Sequence, residues 1–213
     1  MKTVAFVRAP ADEELELYKQ WYLETFAPSL LGAGTKLDGL TVNVIRKAEA
    51  LYEGAGAPPI CEIYAEFWSS RPLAAADIAP PKGSQQAFSV EERIEKAELD
   101  RRPGISPGIR LLSPLYPVAG AAPAESIGYW DEHVPLALRV HVGMNRYVRD
   151  IVVAPLDGNT SGMFGVASLH FPGEDAIRDR FFDKPESIPL HAEDLARFVG
   201  AVVPMSAITH VVL

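Results

Sequence analysis

The 213-residue chain has a single cysteine, so it can form neither an internal disulfide nor a thiolate metal cluster. Cys61 indicates no more than compatibility with a reducing compartment. No apolar run approaches the ~18 uninterrupted residues that a membrane-spanning helix requires. Positive charge is also short. The 20 Lys and Arg face 28 Asp and Glu, a net charge of −8, whereas nucleic-acid binding needs a clustered positive surface. The opening Met1-Lys2-Thr3-Val4 lacks the apolar stretch and cleavage site of a signal peptide, which predicts a cytoplasmic protein. Glycine-rich dinucleotide and phosphate loops and the Gly-x-Ser-x-Gly elbow are missing, so no cofactor is expected.

What the chain does contain is a repeat. Tyr22 to Leu31 and Tyr129 to Leu138 share tyrosine, an acidic residue, proline and leucine at an offset of 107 positions. Each stretch leads through a loop to a glycine (Gly39, Gly143) and a strand-like run, Leu40 to Ala48 and Met144 to Val153. A Gly/Pro-rich turn region and a second strand follow, Ile60 to Trp68 and Phe164 to Phe171. First strands are expected at Thr3 to Arg8 and Arg110 to Val118, the latter irregular or at an edge because of Pro114 and Pro117. Helices are expected over Asp12 to Leu31 and Ala124 to Val140, with Pro28 and Pro135 kinking or ending them. Glu174 to Asp183 and Ala192 to Val199 also read as helix, and Leu73 to Ile78 as a short helical piece. Ala87 to Leu99 is taken as a strand because Phe88, Val90, Glu92 and Ile94 alternate with other residues, and Ser206 to Leu213 is the last strand. The expected fold is therefore α+β: two ferredoxin-like β-α-β-β-α-β repeats, 1–99 and 109–213, joined by a linker at 100–108. Their antiparallel sheets would pack together as an intramolecular α+β barrel.

Tyr129-Trp130-Asp131-Glu132-His133-Val134-Pro135-Leu136, followed by Gly143-Met144-Asn145-Arg146-Tyr147, resembles the EthD family of the dimeric α+β barrel superfamily. Ala65-Glu66-Phe67-Trp68 fits the Glu-x-Trp often found on that family's third strand. The two copies depart from the pattern differently: Phe26 replaces the helix histidine in the first, and Ser168-Leu169-His170 replaces Glu-x-Trp in the second. The resemblance implies a tandem chain imitating the usual two-chain barrel, monomeric or dimeric through outer surfaces. It also implies a small hydrophobic, often aromatic ligand, since relatives include isomerases, cyclases, monooxygenases and lyase-like enzymes.

His133 is the readiest acid/base group, with an ordinary pKa near ~6.5. The alternative is that it bonds a backbone carbonyl freed by Pro135. Alternation puts Tyr64, Glu66 and Trp68 on one strand face, and Val166, Ser168 and His170 on the equivalent face of the second copy. A carboxylate beside an aromatic ring suits proton transfer, although Glu66 could instead pair with a cation such as Arg46 and lock the barrel. The candidate catalytic residues are thus His133, His170 and Glu66, with Tyr129, Trp130, Trp68, Tyr64, Asn145 and Ser168 as ligand contacts. His133 and His141 are eight apart, without the i, i+4 spacing of a helical metal pair, so no metal is expected. The function expected is cofactor-independent isomerase, cyclase or lyase chemistry on a hydrophobic compound. The alternative is a non-catalytic EthD-like binding or accessory protein.

Overall fold

The computed structural model describes residues 1–32, 37–46, 59–99, 102–158 and 161–213. The end of the expected strand Leu40 to Ala48 and the start of the expected linker lie outside the described residues. The first half runs β1 (Lys2–Arg8), α1 (Leu15–Trp21), a π-helical turn (Tyr22–Phe26), α2 (Ala27–Gly32), β2 (Leu37–Ile45), β3 (Ile63–Ser69), a 3-10 turn (Ala75–Asp77) and β4 (Ser84–Ala97). The remainder is β5 (Gly104–Ile105), β6 (Ile109–Pro117), α3 (Pro123–Val140), β7 (Arg146–Pro155), β8 (Gly165–Phe171), α4 (Glu174–Arg180), α5 (Ser187–Leu195), β9 (Val199–Val202) and β10 (Met205–Val211).

Two independent repeats with face-packed sheets are not what forms. The strands make one continuous antiparallel sheet in the order β5-β10-β2-β3-β1-β4-β7-β8-β6-β9, and β10 also pairs with β6. The result is a closed eight-stranded barrel with two short extra strands and few helices, so the ferredoxin-like tandem expectation is overturned. The reason lies in the strand edges. β4 is long enough to pair with β1 over Ser84 to Val90 and with β7 over Phe88 to Ala97. β10 pairs with both β2 and β6, so no barrel strand keeps an open edge for a second sheet to cover. The first half also has only the 3-10 turn where a ferredoxin-like unit needs its second helix.

Local chemistry explains other departures. β6 is not an edge strand: Pro114 lies opposite Val166 of β8. On its other side it falls between the β10 pairing at Arg110 to Leu112 and the β9 pairing that starts at Leu115, so its missing donor interrupts no ladder there. The first helix begins at Leu15 because the Glu14 carboxylate accepts from the Glu16 and Leu17 amides, 3.0 Å each. Its π turn ends two residues before Pro28, which cannot supply the regular i→i−4 donor.

Three layers result. Tyr18, Tyr22, Phe26 and Leu30 pack on the outer face of the first-half strands. Trp130, Val134, Ala137 and Phe198 pack on the outer face of the second-half strands. Between them the lumen is apolar over much of its length, around Phe6, Tyr64, Phe88, Leu112 and Met205. One part of the lumen is polar instead, and every barrel strand supplies a member. Lys2 contacts Glu66 at 2.7 Å, Glu92 at 2.8 Å and Asp150 at 2.8 Å. Arg110 grips Glu66 through two nitrogens and donates to Asn43 and Ser168. Asn43 donates to Glu66, and Thr209 donates to Asn43. The belt therefore draws on β1, β2, β3, β4, β6, β7, β8 and β10.

Candidate functional site

The residues singled out in the sequence divide between the two faces of the barrel wall. Glu66, Tyr64, Trp68 and Ser168 all belong to the lumen. Glu66 pairs with Arg110 and Lys2, whereas Arg46 pairs with Glu174 on the surface. Tyr64 donates to Asp150 at 3.0 Å, and Trp68 donates to Glu92 at 3.2 Å. Burial works against the Lys2 charge, but Asp150, Glu66 and Glu92 outweigh it and raise its pKa. Burial, with Glu66 nearby, raises that of Asp150. His170 faces Asn145 at 3.0 Å, beside a recess of only about 10 Å³. Around these groups the described residues pack closely and leave only that small recess.

His133 and Trp130 are on the other side of the wall. α3 lies across the outer face of β6, β7 and β8 and is pinned there by Asp131, which accepts from Arg93 at 2.8 Å and Arg149 at 2.7 Å. The Arg149 guanidinium also sits over the Trp130 ring at 5.1 Å. Gly165 permits this close approach, since a Cβ there would lie 2.5 Å from Trp130 Cζ3. Tyr129 points elsewhere, its ring stacked under Arg197 at 4.6 Å. Alternation separates the expected partners: Ala167 and Leu169 face the helix side, so His170 faces the lumen, away from His133.

Beneath α3 is a cavity of about 100 Å³ walled by Leu115, Trp130, Ala137, Ala167, Leu169 and Leu195, with Tyr147 and three histidines. The histidines are His133 and His141 of α3 and His191 of α5. His191 fills the two-turn gap between the other two, with ring centroids 5.0 Å from His133 and 4.7 Å from His141. His133 does not take a carbonyl freed by Pro135; its Nδ1 lies 2.8 Å from the Asp194 carboxylate.

The proton positions follow from the partners. Carboxylates and carbonyls only accept, so His133 Nδ1 donates to Asp194, and His141 Nδ1 donates to the Phe181 carbonyl at 2.7 Å. Burial lowers the pKa of His133 despite Asp194, and pushes His141 down to about 4. Burial and the neighbouring histidines push His191 down to about 3. All three rings are neutral at pH 7. His141 Nε2 is then bare and accepts from His191 Nε2, 3.2 Å away. What remains is a base nitrogen on His133, Nε2, backed by a carboxylate in apolar surroundings. Asp194 stays ionised because, against its partial burial, His133 and Arg197 hold its pKa low.

Among the described residues no three His, Cys, Asp or Glu side chains are arranged to hold a metal ion. No helix among them is long and apolar enough to cross a membrane.

No protein-family model and no curated protein matches the chain. Solved structures do. An anthrone oxidase-like protein superposes with a TM-score of 0.57 at 12% identity, over 99% of this chain and 92% of that one. A "putative monooxygenase" from Fusobacterium nucleatum superposes with a TM-score of 0.51 at 9% identity, over 100% and 92% respectively. The likeness is one of fold.

Proposed function

We propose that the protein is a cofactor-independent enzyme that moves a proton on a small hydrophobic compound, with His133 as the acid/base group. The observation that carries this reading is the Asp194–His133 pair at the wall of an apolar cavity. Asp194 fixes the tautomer and stabilises the imidazolium once formed, while burial keeps the resting ring neutral and ready to accept a proton. Isomerisation, cyclisation and elimination need only such a group and a dry cavity. The EthD-like motif from Tyr129 to Leu136 supports the same class of ligand. A volume of about 100 Å³ suits a single ring better than a fused system.

The oxidase- and monooxygenase-named neighbours favour a second reading, in which O2 oxidises the deprotonated carbon. A methylene plus O2 would then give a carbonyl plus water, the carbanion supplying the electrons. Screening single-ring carbon acids for deuterium exchange, with oxygen uptake recorded in parallel, separates the two. Exchange without oxygen uptake that disappears in His133→Ala supports the first reading, and His133-dependent uptake the second. Binding in the cavity with neither signal identifies a binding protein.

A further inference from the structure

The cavity contains one more polar group that the acid/base pair does not use. Tyr147 is 2% exposed and lines the same cavity as His133. Its hydroxyl oxygen accepts the indole N–H of Trp130 at 3.0 Å. A phenol can accept and donate at once, and among the described residues the Trp130 indole is the hydrogen-bond partner of the Tyr147 hydroxyl, as donor to it. The acceptor role is thus met by protein while the donor role is left over, in surroundings where an unspent donor is costly unless a ligand uses it.

Resting on the reading of His133 as base, we infer that Tyr147 is a catalytic hydrogen-bond donor to substrate oxygen and that the substrates are small enolisable ketones. His133 Nε2 removes the proton beside the carbonyl. The C–H electron pair becomes the new C=C bond, and the carbonyl π pair moves onto oxygen, where the Tyr147 O–H meets it. In a β,γ-unsaturated ketone the oxygen pair then re-forms the carbonyl, the new C=C pair becomes the Cα=Cβ bond, and the former Cβ=Cγ pair takes the proton back from His133 at Cγ, which completes an isomerisation. A donor already fixed by Trp130 acts where charge develops and needs no rearrangement to do so.

A phenol is a stable mimic of the enol, so the test compares 4-fluorophenol with fluorobenzene, which has the same ring without the oxygen. Binding to the whole protein is followed by fluorine NMR. Tyr147→Phe should weaken 4-fluorophenol about tenfold or more and leave fluorobenzene within about twofold, because a hydrogen bond to a charged or strongly polarised oxygen is the stronger kind. The bound phenol's fluorine shift should also move away from the phenolate position in the variant. Equal losses for both ligands, or none for either, would overturn the role of Tyr147. If Tyr147→Phe leaves Trp130 unpaired and fails to fold, Trp130→Phe/Tyr147→Phe removes donor and acceptor together and is judged by the same ratio. Wild-type binding that His133→Ala leaves unchanged, or no binding of either ligand, refutes the cavity reading itself, and this inference with it.

Discussion

Arg110 and Glu66 form a two-point ion pair across the barrel lumen, although their strands, β6 and β3, share no backbone ladder. The pair is buried, with Glu66 1% exposed, and Lys2 completes it from β1. Glu66→Gln would leave two buried cations short of a partner. Breaking a buried pair on one side costs about 3–5 kcal/mol. Urea unfolding should register a loss of that order, and a change below about 1 kcal/mol would show that the network tolerates the missing charge.

Gly165→Ala should destabilise by about 1–3 kcal/mol, the usual penalty of forcing a methyl into a packed wall. The new Cβ would meet Trp130 Cζ3 at 2.5 Å, so the indole must shift. Near-UV circular dichroism should change together with the melting temperature; an unaltered spectrum would mean that α3 adjusts without moving its tryptophan.

Asp194→Asn removes the charge that opposes the desolvation of His133. The His133 ring should then titrate at still lower pH by NMR, and turnover should fall while the substrate KM changes little. A His133 titration that stays put would dissociate the two residues.

Stability should fall on acidification in a definite window. Unfolded histidines titrate near ~6.5. In the folded protein burial lowers His141 to about 4 and His191 to about 3. Below about pH 6.5 the unfolded chain therefore binds protons that the folded one refuses. The stabilisation is fully present above that pH and is lost as pH falls toward 4 and 3. His191→Phe keeps an aromatic ring in the stack and removes one titrating group, so its stability should depend less steeply on pH between about 6.5 and 4. A slope equal to wild type would exclude His191 as a source.

Barrel closure by β10 within one chain predicts a monomer that survives dilution. Thermal unfolding midpoints should not depend on protein concentration, and a rise with concentration would reveal a subunit contact essential to the fold.

Side-chain periodicity was legible because it is a local property. Phe88 and Val90 do face the lumen, Glu66 and Trp68 do share a face, and α3 does present Trp130 and His133 toward the sheet. How the strands close was not, because an edge pairing such as β4 with β7 is made by backbone groups common to every residue. The same alternation that put Glu66 and His170 on one kind of face also separates both from His133, and only the position of α3 outside the wall reveals it. Asp194 and His191 escaped notice although His191, Asp194 and Leu195 have the i, i+3, i+4 spacing of one helical face. Nothing local says that α5 crosses opposite the two-turn gap between His133 and His141. Tyr147 stood next to Arg146 in a recognised motif, yet its spare proton emerges only once Trp130 is seen to occupy the other side of its oxygen.

The pairing of Ala207 with Ile45 brings together residues 162 positions apart in the sequence (207 − 45). Such contacts are slow to form, because the loop entropy is spent before the ladder returns it. The polar belt sharpens this, since Lys2, Arg110 and Glu66 cannot neutralise one another until their strands have met. An ensemble with only part of the barrel assembled would expose unpaired strand edges around uncompensated charge. Refolding should accordingly be a late, all-or-none commitment rather than an accumulation of independently stable pieces, with its slowest phase reporting on the moment at which β10 finds both of its neighbours.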